Sequence, residues 1–148
     1  MRPDDTMEIR DARADDAPAL AALFTELGFP ASRAAIAKRL DALLRAGETV
    51  LVAMREGETV GVLTVHVTPV LHRPTPVGRL TALVVTETAR GRGVGRALVQ
   101  AAERTLAARG CALIEVTSNR RLTEAHRFYE HLGYEATSVR FKKALRSP

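Results

Sequence analysis

This sequence of 148 residues lacks the features of a disulfide-stapled, membrane-spanning or base-stacking protein. It contains one cysteine, Cys111, which cannot form an intramolecular disulfide, so we expect a reducing compartment, the cytoplasm. Aromatic residues make up 4% of the chain and tryptophan is absent, which leaves few stacking platforms for single-stranded nucleic acid. No apolar run approaches the roughly 18 residues of a membrane span. The acidic start "MRPDDTMEIRDARADD" lacks the apolar core of a signal peptide.

The charge that is present is divided unevenly along the chain. The net charge is +5, from 22 Lys+Arg against 17 Asp+Glu. Residues 75–148 carry 13 basic and 6 acidic residues, whereas residues 1–74 carry 9 basic and 11 acidic residues. This asymmetry indicates an anionic partner for the second half.

Hydrophobic periodicity predicts one α/β (α+β) domain over residues 1–148, with a mixed sheet and helices on both faces. The expected elements are a strand at 7–12, a helix within 14–28 that ends at Gly28, a helix within 32–47 that Ser32 caps, and a hairpin over 48–67. A proline-rich loop and a central strand at 79–86 follow, then a helix to about Arg109, a buried strand at 111–118 and a helix within 121–133. Residues 134–145 are expected to supply one or two final strands. A strand, a crossover helix and a second strand imply that the strands at 79–86 and 111–118 run parallel.

The stretch "ARGRGVGRAL" lies between the central strand and the following helix. Its glycines let the backbone approach a ligand, and the first N–H groups of a helix favour an anion. The interleaved arginines add forked cationic donors that suit phosphate oxygens. The stretch is therefore interpreted as a phosphate cradle, in preference to a flexible turn with solvated arginines.

Two common nucleotide loops fit this stretch poorly. A Walker loop requires G-x-x-x-x-G-K-[ST], and the stretch has no lysine. The dinucleotide fingerprint requires G-x-G-x-x-G, whereas Arg96 stands where the third glycine belongs.

Two motifs resemble those of the GNAT superfamily of acetyl-CoA-dependent N-acetyltransferases. "VVTETARGRGVGRALV" resembles the acetyl-CoA signature [Q/R]-x-x-G-x-[G/A], which Arg90, Gly93 and Gly95 match. "AHRFYEHLGY" resembles the second signature, a helix with an aromatic pair followed by Gly-Tyr. The order of elements also matches over about residues 7–142. The resemblance implies a mostly antiparallel central sheet in which one parallel pair of strands splays apart at the cofactor site.

The resemblance assigns most of the predicted cofactor-binding residues to this region. It implies that backbone amides after the central strand hold the CoA pyrophosphate, namely those of Gly91, Arg92, Gly93, Val94, Gly95 and Arg96. Arg90, the first residue of the signature, is also assigned to cofactor binding. It implies that the pantetheine arm pairs with the strand end at Leu83, Val84 and Val85, and that an N–H near Val85 stabilises the oxyanion. The amine would attack the thioester directly, with acetyl-CoA as cosubstrate and no metal.

Further residues are assigned less directly. The resemblance makes Tyr129 the general acid for the leaving thiolate, against the alternative of a packing tyrosine beside Phe128. Asn119 is assigned to CoA contact or to an ordinary turn. The general base stays open. Glu115 could take the amine proton directly or through a water relay, with pairing to an arginine or exposure to solvent as the favoured alternative. For His66 a hydrogen-bonded structural role is favoured. His72 could line a substrate mouth, whereas His126 and His131 are interpreted as surface or packing residues.

The acceptor and the rival functions also stay open. Acids in the first half (Asp15, Asp16, Glu26, Asp41 and Glu48) could form a mouth for a cationic amine, or could be solvated helix faces. The main prediction is an N-acetyltransferase acting on a primary amine of a small molecule or peptide, with no nucleic acid or membrane partner and a possible homodimer. The alternatives are a non-catalytic acyl-CoA-binding module and a nucleic-acid-binding protein.

Overall fold

The computed structural model describes residues 6–118 and 120–146, which form two compact units divided between Val116 and Thr117. The prediction of a single domain over 1–148 stays a prediction. The first unit contains β1 (Met7–Asp11), α1 (Ala17–Leu27), α2 (Arg33–Arg45), β2 (Thr49–Arg55), β3 (Glu58–Thr68), β4 (Val77–Val85), α3 (Val94–Ala108) and β5 (Leu113–Val116). Short 3-10 turns occupy Ala14–Asp16 and Glu87–Ala89. The second unit contains α4 (Thr123–His131).

The first unit is built on a five-stranded sheet with the order β1-β2-β3-β4-β5. The first four strands pair antiparallel, whereas β4 and β5 pair parallel. The 15-residue helix α3 connects β4 to β5, as the crossover between parallel strands requires. The mixed, mostly antiparallel sheet predicted from the sequence is therefore confirmed.

Helices cover both faces of this sheet. Val62 of β3 packs in a buried cluster with Leu20 of α1 and Leu40 of α2. Gly61, one residue earlier, faces the other side, where a Cβ would lie 3.0 Å from Leu98 of α3. Because successive strand residues point to opposite faces, α1 and α2 lie on one face and α3 on the other.

Two bulges change the register of the sheet. In the β2–β3 hairpin, Ala53 pairs with Gly61 but Met54 pairs with Thr59, so Val60 is an extra residue on β3. Between β3 and β4 the register shifts at Thr81, which becomes the extra residue on β4. A bulge moves every residue beyond it to a new partner, so these two positions decide which side chains meet across the sheet.

An ion pair fixes the start of α1 against the sheet. Arg10 of β1 donates to both carboxylate oxygens of Asp16 at 2.8 Å, and the Arg13 N–H donates to Asp16 Oδ2 at 2.7 Å. The Arg10 guanidinium, followed by the Arg13 amide, holds the pKa of Asp16 below its usual value against the opposing effect of burial. Asp16 thus satisfies both a side chain and a backbone donor at the entry to α1.

Two predictions about strands were wrong. Among the described residues 134–146 there is no strand, and Phe141 and Leu145 are almost fully exposed. Their alternating apolar pattern gives only a propensity, and a strand also needs an edge to pair with. The strand predicted at 111–118 is shorter, Leu113–Val116, and is not buried as its apolar composition suggested.

Candidate active site

The end of β4 forms the first part of the candidate site. β5 accompanies β4 only from Val77, opposite Leu113, to Leu80, opposite Val116. β4 continues to Val85, so within the described residues its segment 81–85 has β3 on one side and no strand on the other. We call this segment the free edge of β4. Such an edge presents N–H and C=O groups to any extended ligand that lies along it.

The second part is the turn from β4 into α3, residues 90–96, which we call the cradle. Gly91 and Gly93 have φ of 77° and 82°, and a Cβ on either would have no neighbour within 4 Å among the described atoms. The first hydrogen bond of α3 runs from Ala97 N to Gly93 O at 3.0 Å. The N–H groups that precede Ala97 therefore have no acceptor within the helix, and the first turn of α3 carries no acidic side chain. This arrangement suits an anion.

Two side chains brace the chain between the free edge and the cradle. Arg90 Nε donates to the Val85 carbonyl at 3.0 Å, so this arginine holds the turn as well as adding positive charge. Glu26, near the end of α1, accepts from the Thr86 hydroxyl at 2.9 Å and from the Glu87 N–H at 2.6 Å. These two donors, the Glu87 amide first, lower the pKa of Glu26. Glu26 also lines a groove of about 410 Å³ with the hairpin residue Glu58.

A set of polar side chains crosses the sheet on the α1/α2 face, and we call it the polar row: Glu48, Thr64, His66, Arg79, Thr81 and Glu115. His66 Nδ1 lies 2.6 Å from Glu48 Oε1, and Arg79 Nε forms an ion pair with Glu115 Oε1 at 2.8 Å. Thr64 and Thr81 hydroxyl oxygens lie 2.6 Å apart at the β4 bulge. The row reaches the beginning of the free edge at Thr81.

The predicted base candidates have different surroundings. Glu115 pairs with Arg79, which was the favoured alternative to a base. His66 contacts Glu48, whereas His72 lies exposed in the loop before β4. His131 is exposed at the end of α4, and His126 is half-buried.

The predicted acidic mouth is largely occupied by internal contacts. Asp16 binds Arg10, Asp41 pairs with Arg45 at 2.8 Å, and Glu48 contacts His66. Glu26 is used by the backbone after β4, which leaves Asp15 exposed as the fifth member of the set. The first-half acids therefore give little support to a site for a cationic acceptor.

Tyr129 lies in the second unit, on α4. Its ring makes edge contacts with Phe128 and Tyr134, at centroid distances of 5.2 and 5.8 Å. Burial raises the pKa of the Tyr129 phenol, because the charged phenolate loses solvation. The phenol therefore stays protonated at neutral pH and is able to donate a proton.

Three further observations concern the other predicted site features. Asn119 lies outside the described residues. In the ranges 6–118 and 120–146, no group of three or more His, Cys, Asp and Glu side chains is placed to hold a metal ion. None of the helices in these ranges is long and apolar enough to cross a membrane.

Sequence reasoning missed most of the polar row. It considered His66 and Glu48 separately. In the structure the hairpin closes with Arg55 opposite Glu58, and without a bulge that register would place Val65 opposite Glu48. The extra residue Val60 moves the register by one and brings His66 opposite Glu48. The Thr64–Thr81 pair depends in the same way on the bulge at Thr81. No local pattern in the sequence marks either bulge.

Comparison with known proteins agrees with this architecture. Residues 8–134 match the Acetyltransferase (GNAT) family. The chain is 34% identical over 143 residues to an aminoalkylphosphonate N-acetyltransferase of Salmonella typhimurium, covering 93% of this chain and 91% of that protein.

Two solved structures share the fold. One, a transcriptional regulator of Bacillus halodurans C-125, is 25% identical, with a TM-score of 0.84 and coverage of 95% of this chain and 100% of that one. The other, an aminoglycoside N-acetyltransferase in complex with CoA, is 22% identical, with a TM-score of 0.85 and coverage of 95% and 96%. The match to the Acetyltransferase (GNAT) family is consistent with the predicted cosubstrate, acetyl-CoA. By its family match and its curated relative, this chain belongs to the GNAT family of acetyltransferases and is an N-acetyltransferase.

Proposed function

We propose that the protein transfers an acetyl group from acetyl-CoA directly to a primary amine. The observation that carries this proposal is the continuity between the free edge of β4 and the cradle. An extended thioester arm can lie along residues 81–85 while its anionic end reaches the N-terminus of α3. Gly91 and Gly93 fit this use, since their positive φ and open surroundings let the backbone approach phosphate oxygens.

Within this proposal each predicted residue has one role. Backbone groups of Leu83, Val84 and Val85 align the pantetheine arm, and the N–H near Val85 stabilises the oxyanion as the amine adds to the carbonyl carbon. Tyr129 donates a proton to sulfur as the C–S bond breaks, a role that a phenol protonated at neutral pH can fill. Asn119 as a CoA contact, a cytoplasmic location and a homodimer remain predictions.

A short aminoalkylphosphonate is the acceptor we propose to test first. The Salmonella relative with that name covers almost the whole chain at 34% identity. The internal partners of the first-half acids argue against an acceptor chosen by positive charge alone. Arg79 of β4 has about half of its side chain exposed but is paired with Glu115, so a phosphonate would compete with the Glu115 carboxylate for this cation.

The test is calorimetric titration with acetyl-CoA, followed by assay of CoA release with matched amines. 2-Aminoethylphosphonate and ethanolamine differ in the phosphonate, and spermidine represents a purely cationic acceptor. We expect acetyl-CoA to bind and 2-aminoethylphosphonate to react with a higher kcat/KM than ethanolamine. Reaction with spermidine alone would contradict the phosphonate proposal.

The same experiment separates the rival functions. Acetyl-CoA binding without product from any amine would identify a non-catalytic acyl-CoA-binding module. Failure to bind acetyl-CoA, together with DNA binding that collapses on addition of salt, would favour a nucleic-acid-binding function.

A further inference from the structure

In the Glu48–His66 pair, the Glu48 side chain is shielded from solvent, whereas the His66 side chain is partly exposed. Glu48 is 16% exposed and its Oε1 lies 2.6 Å from His66 Nδ1, whereas the His66 side chain is 46% exposed. An ionised carboxylate only accepts hydrogen bonds, so this contact places the imidazole proton on Nδ1. The lone pair is then on Nε2, the ring atom that Glu48 does not hold.

The pair lies close to the place where β4 and β5 separate. His66 is opposite Arg79, one residue before Leu80, where the β4–β5 pairing ends. Adjacent strands lie about 5 Å apart, so the backbones of His66 and Arg79 are about one strand spacing apart, and Thr81, the first residue of the free edge, follows Arg79 by two residues. On the same face the Thr81 hydroxyl oxygen lies 2.6 Å from that of Thr64, two residues before His66 on β3.

A small cavity adjoins the pair. Its volume is about 190 Å³, and its lining includes Leu43 of α2, Glu48, His66 and Thr81. Glu48 Oε2 is buried without a hydrogen-bond partner in the described part of the chain. The cavity thus offers polar groups and room for water molecules that could link His66 to a bound amine.

The charged groups near His66 are paired with one another, so His66 is the side chain of the polar row that can accept a proton without breaking an ion pair. On β4 it faces Arg79, which is bound to Glu115 on β5. On α2 the charged pair Asp41–Arg45 is mostly exposed, and Leu43 is the α2 residue in the cavity lining. Proton uptake by Glu115 would break its ion pair, whereas His66 in the Nδ1–H form gains a proton on a nitrogen that Glu48 does not bind.

We infer that His66, oriented by Glu48, accepts the proton that an ammonium acceptor loses before its nitrogen attacks the thioester. This inference deepens the proposed transfer and depends on it. The N–H bond of the ammonium breaks and its electron pair stays on nitrogen for attack. The proton moves to Nε2 along a chain of water molecules, because His66 lies five residues along β3 from Gly61, the partner of Val85. The imidazolium is stabilised by the Glu48 carboxylate and returns the proton to solvent at its exposed side. Glu48 is a positioning residue in this scheme.

The kinetic test compares His66→Gln, Glu48→Gln and the control His131→Gln with the native enzyme. With 2-aminoethylphosphonate we expect kcat/KM to fall by about 100-fold in His66→Gln and by about 10-fold in Glu48→Gln. Hydroxylamine is already uncharged near neutral pH, so His66→Gln should retain most of its activity with this nucleophile. An equal loss with both nucleophiles would make His66 structural and overturn the inference.

A second measurement does not require turnover. The ¹⁵N chemical shifts of the His66 imidazole report which ring nitrogen carries the proton near neutral pH. We expect the Nδ1–H form in the native protein and a mixture in Glu48→Gln, while both bind acetyl-CoA equally. The Nε2–H form in the native protein would overturn the inference even if transfer occurs. Absence of transfer to either nucleophile with the Nδ1–H form present would instead overturn the proposed function, and with it the role of His66.

Discussion

The cradle and the polar row differ in how many segments of the chain build them. The cradle is one continuous stretch, residues 90–96, and its properties follow from glycine conformation and a helix terminus. The polar row takes its side chains from four places: the turn before β2, then β3, β4 and β5. Its contacts exist only because the strands pair in one register. A part of a site can therefore be local or assembled, and the two respond differently to substitution.

The largest effect that we expect is on the local part. Gly93→Glu places a side chain at φ 82° and a carboxylate at the N-terminus of α3, where an anion is proposed to bind. Like-charge repulsion of several kcal/mol, taken as about 4 kcal/mol, weakens acetyl-CoA binding by roughly 1,000-fold in Kd. Calorimetric titration measures this change.

Gly110 supplies the matched control for this substitution. It follows α3 at its other end with φ 87°, and it also has no neighbour within 4 Å of a Cβ among the described atoms. Gly110→Glu therefore introduces the same strain and charge away from the cradle, and it should leave acetyl-CoA affinity within about twofold. Similar losses in the two variants would show that strain, not the anion site, causes the effect.

A smaller effect is expected from Tyr129→Phe, which removes the proposed acid while keeping the ring contacts with Phe128 and Tyr134. We expect kcat to fall by about 100-fold with acetyl-CoA affinity unchanged, because the hydroxyl acts on the leaving sulfur. Steady-state kinetics and calorimetry check the two quantities. An unchanged kcat would remove Tyr129 from the mechanism.

The sequence predicts local parts well because their causes are local. Ser32 caps α2 by accepting from the Ala35 N–H at 3.1 Å, and Gly28, with φ 101°, ends α1, as their positions suggested. The cradle was located for the same reason. The partner of His66 could not be located from local pattern, because it depends on an extra residue, Val60, inside an otherwise regular strand.

Strand prediction failed where a pairing edge decides the outcome. The segment 134–145 has the apolar alternation of a strand, yet its described residues form none and Val139 and Phe141 are exposed. β5 looked like a buried strand because of its composition, whereas its described residues are exposed or half-buried. Amino-acid composition indicates which residues are suited to a β-sheet, but a strand forms only where a neighbouring strand is available to pair with it.

Arg10 and Asp16 are close in sequence, and both side chains of this ion pair are largely buried. Asp16→Asn should lower the free energy of unfolding by about 2 kcal/mol at neutral pH. The folded-state pKa of Asp16 is lowered by Arg10. Its contribution is therefore fully present above the unfolded-state pKa of about 3.9 and is lost as pH falls through the lower folded-state pKa. Urea unfolding at a series of pH values checks this. A native–variant difference that stays constant down to strongly acid pH would contradict it.

The smallest effect is expected for the assembled pair Arg79–Glu115, which joins β4 to β5 at 2.8 Å with both side chains about half exposed. A double-mutant cycle with Arg79→Gln and Glu115→Gln should give a coupling of about 0.5 kcal/mol in unfolding free energy, because solvent and salt screen exposed charges. The coupling should shrink further in concentrated salt, whereas the cost of Asp16→Asn should change little. A coupling as large as the cost of Asp16→Asn would mean that the polar row is more shielded from water than its exposure indicates. It would also make Glu115 a stronger structural tie between the parallel strands, and so a weaker candidate for moving protons.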